Sequence, residues 1–366
     1  MTQGKETDNW GRFSGMRVVH AANYQFAKDG SAFYNCDVKL NQGLIQAGCL
    51  VYPFSINDRA RMLSLTGSKR FGQRGANKAL IRTCRNVSPD VLLLGHAQSI
   101  TRETLLAIRN ELPDIRIALW YVDALWVPSR IEHLYERADV LDGVFATTGG
   151  DLLRDLGQPG CPAAFIPNPV EAGVERYRAF ENSSPQYDVM FIGSDKRAPE
   201  RKQFLLDLQR ALAAASDVRF GVFGCLGNPS VFGHEKERLL METRMSLNLS
   251  RRTDIELYSS DRIAQIAGNG QVVLTPAGNG LERLFSSDEA VFFSDVDDLA
   301  ARIIELKAND AEAVRIARNG WQKAHSVYSS HSVAEFILAL TMRDQSYLSA
   351  PWSDHVFHVA DGVRAA

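Results

Sequence analysis

Short apolar runs alternate along the chain with longer segments in which apolar residues recur every three or four positions. A strand-like period switching repeatedly to a helical one predicts βαβ units and a parallel sheet. In the first half, strands are expected over residues 16–22, 49–54, 91–95, 116–122, 143–147 and 164–166. Helices are expected over 35–47, stopped by Gly48, and 101–112, stopped by Pro113, since Gly and Pro just past a periodic run end helices. Pro167-Asn168-Pro169 and the polar stretch Glu181 to Pro185 then interrupt the pattern and read as a linker. It restarts with strands over 187–192, 218–223, 246–249, 271–275 and 290–293. Helices follow over 199–215, 261–267, 281–285, 296–307 and 310–327, with a last one from Ser332.

The fold class this implies is α/β: two Rossmann-like parallel-sheet domains facing each other across a cleft. Residues 16–170 form the N-terminal domain, 171–186 the linker and 187–335 the C-terminal domain. Residues 1–15 are a flexible leader, and 336–366 a helix and tail that pack back on the N-terminal domain. The 366 residues suffice for two such cores. Forty-one Lys and Arg against 43 Asp and Glu leave a net charge of −2, without the basic field a nucleic-acid partner requires. No apolar run is long enough to span a bilayer. The five cysteines form no CxxC, so neither a disulfide framework nor a zinc site is expected, and the cytoplasm is the expected compartment. Arg59, Arg61, Lys69, Arg70, Arg74, Lys78, Arg82 and Arg85 form a basic stretch. It reads first as a solvated face, with peripheral membrane contact as the alternative.

Ligands of open parallel sheets bind beyond the carboxyl ends of the strands, so the residues after each strand carry the candidate chemistry. After the strand ending at Ile192 come Gly193, Ser194, Lys196, Arg197, Arg201 and Lys202, with Pro199 placed to open a helix. Backbone amides and cations in that order suit a diphosphate, although a basic surface loop has the same composition. Gly268-Asn269-Gly270 and Gly278-Asn279-Gly280 frame the strand over 271–275, without the G-x-G-x-x-G spacing of a dinucleotide site. Asp295-Val296-Asp297 has the D-x-D form that can hold a divalent metal, but it opens an amphipathic segment, where acidic residues serve first as a helix cap. No metal-ligand spacing is present elsewhere. In the first half, His96 and Asp123 end apolar strands, and His20 lies near the end of the first; each is a candidate base or a structural residue.

The residues from Ser246 to Tyr328 resemble the C-terminal domain of GT-B glycosyltransferases of the group 1 kind, closest to the spore-maturation-protein-like branch. The resemblance rests on Leu247-Asn248-Leu249-Ser250, on the run from Ser260 to Gly270, on Val272 to Thr275 and on Gly280-Leu281-Glu282-Arg283-Leu284-Phe285. Arg262 matches the arginine of the pattern R-x-x-E-x-x-x-x-G. More loosely, Leu119 to Asp123, Thr147 to Asp151 and Phe165 to Val170 are similar to N-terminal elements of the family. Two positions depart from it: Gln265 stands where a glutamate is usual, and Leu257 stands eight residues earlier, where a second one is common. Glu256, Glu282 and Glu289 are the alternative carboxylates.

The resemblance implies transfer of a sugar from a nucleotide-diphosphate donor to an acceptor hydroxyl, as in a hexosyltransferase, without metal or other cofactor. Gly193, Ser194, Lys196, Arg201, Arg262, Gln265, Gly278, Asn279, Gly280 and Glu282 would hold the donor, and Asn168 would line the cleft at the hinge. Asp123 or His96 would orient or deprotonate the acceptor. A surface polysaccharide, a lipopolysaccharide, another lipid-linked glycan or a protein is the implied acceptor. The alternatives are a non-catalytic binding protein, which the two departures favour, and a sugar-nucleotide epimerase.

Overall fold

In the computed structural model, which describes residues 11–358 apart from 197 and 216, the alternating periods become two sheets. The chain runs through β1 (Arg17–Ala22), α1 (Cys36–Gln46), β2 (Leu50–Ser55), α2 (Ile56–Met62), α3 (Lys69–Val87), β3 (Val91–Leu94), α4 (Arg102–Glu111), β4 (Arg116–Tyr121), α5 (Pro128–Tyr135), β5 (Gly143–Ala146), α6 (Gly150–Arg154) and β6 (Ala163–Phe165). The second half follows with β7 (Tyr187–Ile192), α7 (Pro199–Ala215), β8 (Phe220–Phe223), α8 (Gly233–Met241), β9 (Thr243–Leu247), α9 (Arg262–Gly268), β10 (Val272–Pro276), β11 (Val291–Phe293), α10 (Val296–Ala308), α11 (Asp310–Ser326), α12 (Ser330–Thr341) and β12 (Val356–Phe357).

The first sheet has the order β12-β6-β5-β4-β3-β1-β2, parallel except for β12, which joins β6 antiparallel. The second has the order β11-β10-β9-β7-β8 and is parallel throughout. Val91-Leu92-Leu93-Leu94 is buried on both faces, as a central parallel strand covered by helices must be. Both orders reverse direction near the middle, at β1/β3 and β7/β9, and such reversals open a crevice at the carboxyl ends of the strands.

The structure departs from the sequence reading in a few places. Residues 281–285 do not form an α-helix, because Leu281–Arg283 makes only a 3₁₀ turn after Gly280 in a left-handed conformation. β9 begins at Thr243, three residues before the expected start, and α12 begins at Ser330, capped by the Ser329 hydroxyl. α2, α5 and α8 are short helices whose apolar periodicity is too brief to register. Within residues 171–186 the chain is packed: Glu171 and Glu175 are buried and Ala179–Glu181 forms a 3₁₀ turn. α12 crosses back to lie on α1 and the first sheet, and Gly43 permits it, since a Cβ there would meet Ser330 O at 2.0 Å. Of the expected leader, residues 1–10 lie outside the described residues and Phe13 is buried. Of the expected tail, residues 359–366 lie outside them as well.

Candidate functional site

The chain leaves β7 through Gly193-Ser194 and enters α7 at Pro199, with Arg201 in the first turn. Across from it, Arg262 is the first residue of α9. Both guanidiniums lie over the Phe191 ring, at 4.8 Å for Arg262 and 5.7 Å for Arg201. Arg262 donates from Nε to Ile192 O at 2.9 Å and from Nη1 to Leu249 O and the Ser260 hydroxyl. Arg201 donates to Ser194 O at 2.8 Å, and its buried Nε has no partner. Among the described residues, neither makes an ion pair with a carboxylate. Burial and the neighbouring Arg201 charge push Arg262 down to about 9, and burial lowers Arg201 too. A buried and a half-buried cation that face only neutral acceptors are suited to an anion. Gly193 makes room for it: a Cβ there would lie 2.8 Å from Arg262 Nη2 and from the Phe191 ring.

Beside the arginines is a cavity of about 350 Å³, lined by Gly193, Ser194, Lys236, Asp261, Arg262 and Gln265, and closed on the N-terminal side by Tyr34. The Lys236 ammonium sits 4.3 Å from the Tyr34 ring centroid and donates to Gln265 Oε1 at 2.5 Å; burial pushes it down to about 8. Gln265 in turn donates from Nε2 to Asp261 Oδ2 at 2.6 Å. The other Asp261 oxygen accepts from Lys39 of α1 at 2.6 Å, and Lys39 also donates to Glu175 at 2.9 Å. One chain of polar contacts therefore runs from the cavity across the domain boundary.

The N-terminal wall is built at the ends of β3 and β4. His96 Nδ1 donates to Asp37 Oδ2 at 3.0 Å, and the His96 amide reaches Asp37 Oδ1. Burial opposes the charge on the imidazole, but the Asp37 carboxylate outweighs it and His96 rises to about 9. The closeness depends on Gly95, where a Cβ would meet Asp37 Oδ1 at 2.3 Å. Asp123 lies 3.9 Å from Arg130 and lines a cavity of about 610 Å³ that Arg251 closes from the C-terminal domain. Trp126 and Tyr258 meet edge-to-face at 4.5 Å and bridge the domains beside it.

The structure thus brings Gly193, Ser194, Arg201, Arg262 and Gln265 together. It does not bring the others to that cavity. Lys196 is exposed, its amide bonded to the Ser194 hydroxyl, and Arg197 lies outside the described residues. Gly278, Asn279 and Gly280 hold their own turn: Glu282 accepts from the Gly278 amide, Asn279 donates to Tyr258 O, and Asn279 O accepts from Leu257 N. Glu256 pairs with Arg283, and Glu289 pairs with Lys323. Asn168 is buried between the domains, donating to Ser259 O. His20 is fully buried and burial lowers it to about 4; Trp120 donates to its Nε2 and its Nδ1 meets the Tyr24 hydroxyl, so it is a structural residue. Asp295 caps α10 through the Asp298 amide. Lys236, Tyr34, Asp37, Lys39 and Arg251 escaped sequence reasoning, since each lies far along the chain from the glycines and arginines it joins.

Residues 201–339 match the family described as Glycosyl transferase-like. About nine-tenths of the chain superposes on solved GT-B glycosyltransferases. Its fold is GT-B. Sucrose-phosphate synthase from Thermosynechococcus elongatus aligns with a TM-score of 0.59 at 12% identity, over 92% of this chain and 100% of that one. HepE of Anabaena, in complex with UDP and glucose, gives 0.54 at 12% identity, over 91% and 99%. OtsA in its apo form gives 0.55 at 13% identity, over 89% and 99%. A search of curated protein sequences finds no significant match. In GT-B terms, the cavity at Arg262 lies on the C-terminal domain, with Tyr34 reaching it from the N-terminal one, which also carries the Asp37–His96 pair. No helix among the described residues is long and apolar enough to cross a membrane, and no group of three or more His, Cys, Asp and Glu is placed to hold a metal ion.

Proposed function

We propose that the protein is a glycosyltransferase that moves a sugar from a nucleotide-diphosphate donor to an acceptor hydroxyl. The observation that carries this reading is the pair of guanidiniums, Arg201 buried and Arg262 half-buried, beside the Gly193-Ser194 turn with no carboxylate to answer them. A diphosphate leaving group gains negative charge as the anomeric carbon becomes oxocarbenium-like, and preorganised cations stabilise that charge without reorganising. Arg201 and Arg262 would take the phosphates, with the turn amides alongside. Gln265 and Lys236 would meet donor hydroxyls from the cavity floor, with Gln265 as a neutral substitute for a glutamate. His96, protonated at neutral pH, would orient oxygen atoms from the N-terminal side rather than accept a proton. Asp123, in the larger cavity, would take the acceptor proton. Polar lining of that cavity suits a glycan, whether part of a surface polysaccharide, a lipopolysaccharide or another glycoconjugate.

The experiment is a thermal-shift screen with UDP, GDP, CDP, dTDP and ADP, followed by nucleotide release from the matching sugar donors with acceptor mixtures. At least one nucleotide is expected to raise the melting temperature, and release is expected to require acceptor. A shift without any turnover would favour a binding protein, and donor conversion without nucleotide release an epimerase.

A further inference from the structure

The most unbalanced surface of the molecule lies on α2 and α3, away from the cavity at Arg262. Residues 56–87 carry eight arginines and lysines against one acid, Asp58, in a chain whose net charge is −2. Arg61 pairs with Asp58 and Arg85 with Glu111. Among the described residues Lys69, Arg70, Arg74, Lys78 and Arg82 make no ion pair. Arg70, Arg74, Lys78 and Arg82 recur every fourth residue, so they stand above one another on one face of α3 and repel.

Apolar side chains are exposed on the same hairpin: Met62 at 75%, Leu63 at 48%, Leu65 at 108% and Phe71 at 73%. Loose packing does not account for this. α3 buries Gly72, Ala76, Asn77, Leu80 and Cys84. It approaches α2 so closely that a Cβ at Gly72 would lie 1.7 Å from Ala60 O. Asn77 ties it to Ser99 O at 2.9 Å. A rigid face therefore presents cations and large apolar groups to water together.

We propose that this face docks on an anionic phospholipid surface, with Met62, Leu65 and Phe71 entering the headgroup–acyl boundary while Arg70, Arg74, Lys78 and Arg82 meet lipid phosphates. Basic residues beside apolar anchors are what an interfacial helix needs, and each cation near an anionic leaflet adds to the attraction. A second copy related by a two-fold axis would set like charges against each other. A nucleic acid would satisfy the cations and leave Leu65 and Phe71 in water. β2, which feeds α2, is an edge strand of the first sheet. The inference stands independently of glycosyl transfer.

The test is flotation of the full chain with vesicles of phosphatidylglycerol and phosphatidylcholine, and with phosphatidylcholine alone. We expect binding to the anionic vesicles at least about tenfold tighter than to the neutral ones, weakening as salt screens the charges. Arg70→Glu/Arg74→Glu/Lys78→Glu should weaken it at least about tenfold. Leu65→Asp/Phe71→Asp should weaken it while leaving the salt dependence in place. All these positions are exposed, and an unchanged thermal melt certifies the fold of each variant. Absence of binding to anionic vesicles would overturn the proposal. So would equal binding to both vesicle types, or tighter binding to a single-stranded oligonucleotide that ignores Leu65→Asp/Phe71→Asp.

Discussion

The Lys39 ammonium of the N-terminal domain lies 2.6 Å from the Asp261 carboxylate at the edge of the C-terminal cavity. Lys39 is fully buried and also meets Glu175, so one ammonium is shared by two carboxylates. Removing one member of a buried ionic group leaves the others unpaired, at about 3–5 kcal/mol. Lys39→Met is expected to lose stability on that scale in urea unfolding. The loss should shrink as pH falls and Glu175, which burial raises to about 7, takes up a proton. A loss of the same size at low pH would mean that packing, not charge, is responsible.

Arg262 gives the opposite signature. Its partial burial without a counter-ion is a cost of the unliganded fold, so Arg262→Met should leave the unfolding midpoint unchanged or raise it. Affinity for the nucleoside diphosphate found in the screen should drop by about ten- to a hundredfold, the value of one charge-assisted contact. Calorimetric titration and thermal melts on the same samples separate the two effects. Weakened binding together with a large loss of stability would show that Arg262 serves the fold.

The Asp37–His96 pair makes stability depend on pH. His96 is raised from 6.5 to about 9, so the folded state holds its proton more tightly. The stabilisation is fully present below about pH 6.5 and is lost as pH rises through about 9, on the order of 3 kcal/mol in all. His20, lowered to about 4, acts in the other direction, and its contribution disappears as pH falls below 6.5 towards 4. Denaturant unfolding across this range should show both limbs. His96→Asn, which keeps a donor towards Asp37 without a titrating ring, should flatten the alkaline limb alone. NMR titration of the His96 ring should give a midpoint near 9.

Gln265 answers why an amide stands at this position. It donates to Asp261 and accepts from Lys236, two roles that a carboxylate cannot fill at once. Gln265→Glu would put two carboxylates within about 2.6 Å, where they share a proton. A carboxyl raised in the folded state stabilises at low pH and loses that contribution as pH rises through its folded value. The variant should therefore lose stability relative to the parent between about pH 5 and about pH 8. A difference constant over that interval would show that Lys236 absorbs the new charge.

Periodicity and strand-end chemistry were enough to place β1, β3, β7 and α7 nearly to the residue, because buried parallel strands and long amphipathic helices repeat one rule over many positions. The same reasoning singled out Gly193, Ser194, Arg201 and Arg262, which the fold brings together, because a turn after a strand and the start of a helix are local features. It also placed Gly278, Asn279, Gly280 and Glu282 with the donor, where the fold instead folds that loop onto itself and onto Tyr258.

Local patterns in the sequence therefore carried two parallel-sheet domains and the turn and helix starts that bear Gly193, Ser194, Arg201 and Arg262. Only the tertiary structure decided the rest: that Lys39 answers Asp261, that Asp37 charges His96, and that Lys236 rather than Lys196 reaches the cavity. These are contacts between groups up to 222 positions apart, and the one between Lys39 and Asp261 joins the two domains. Their energies depend on burial and distance, which no local spacing encodes.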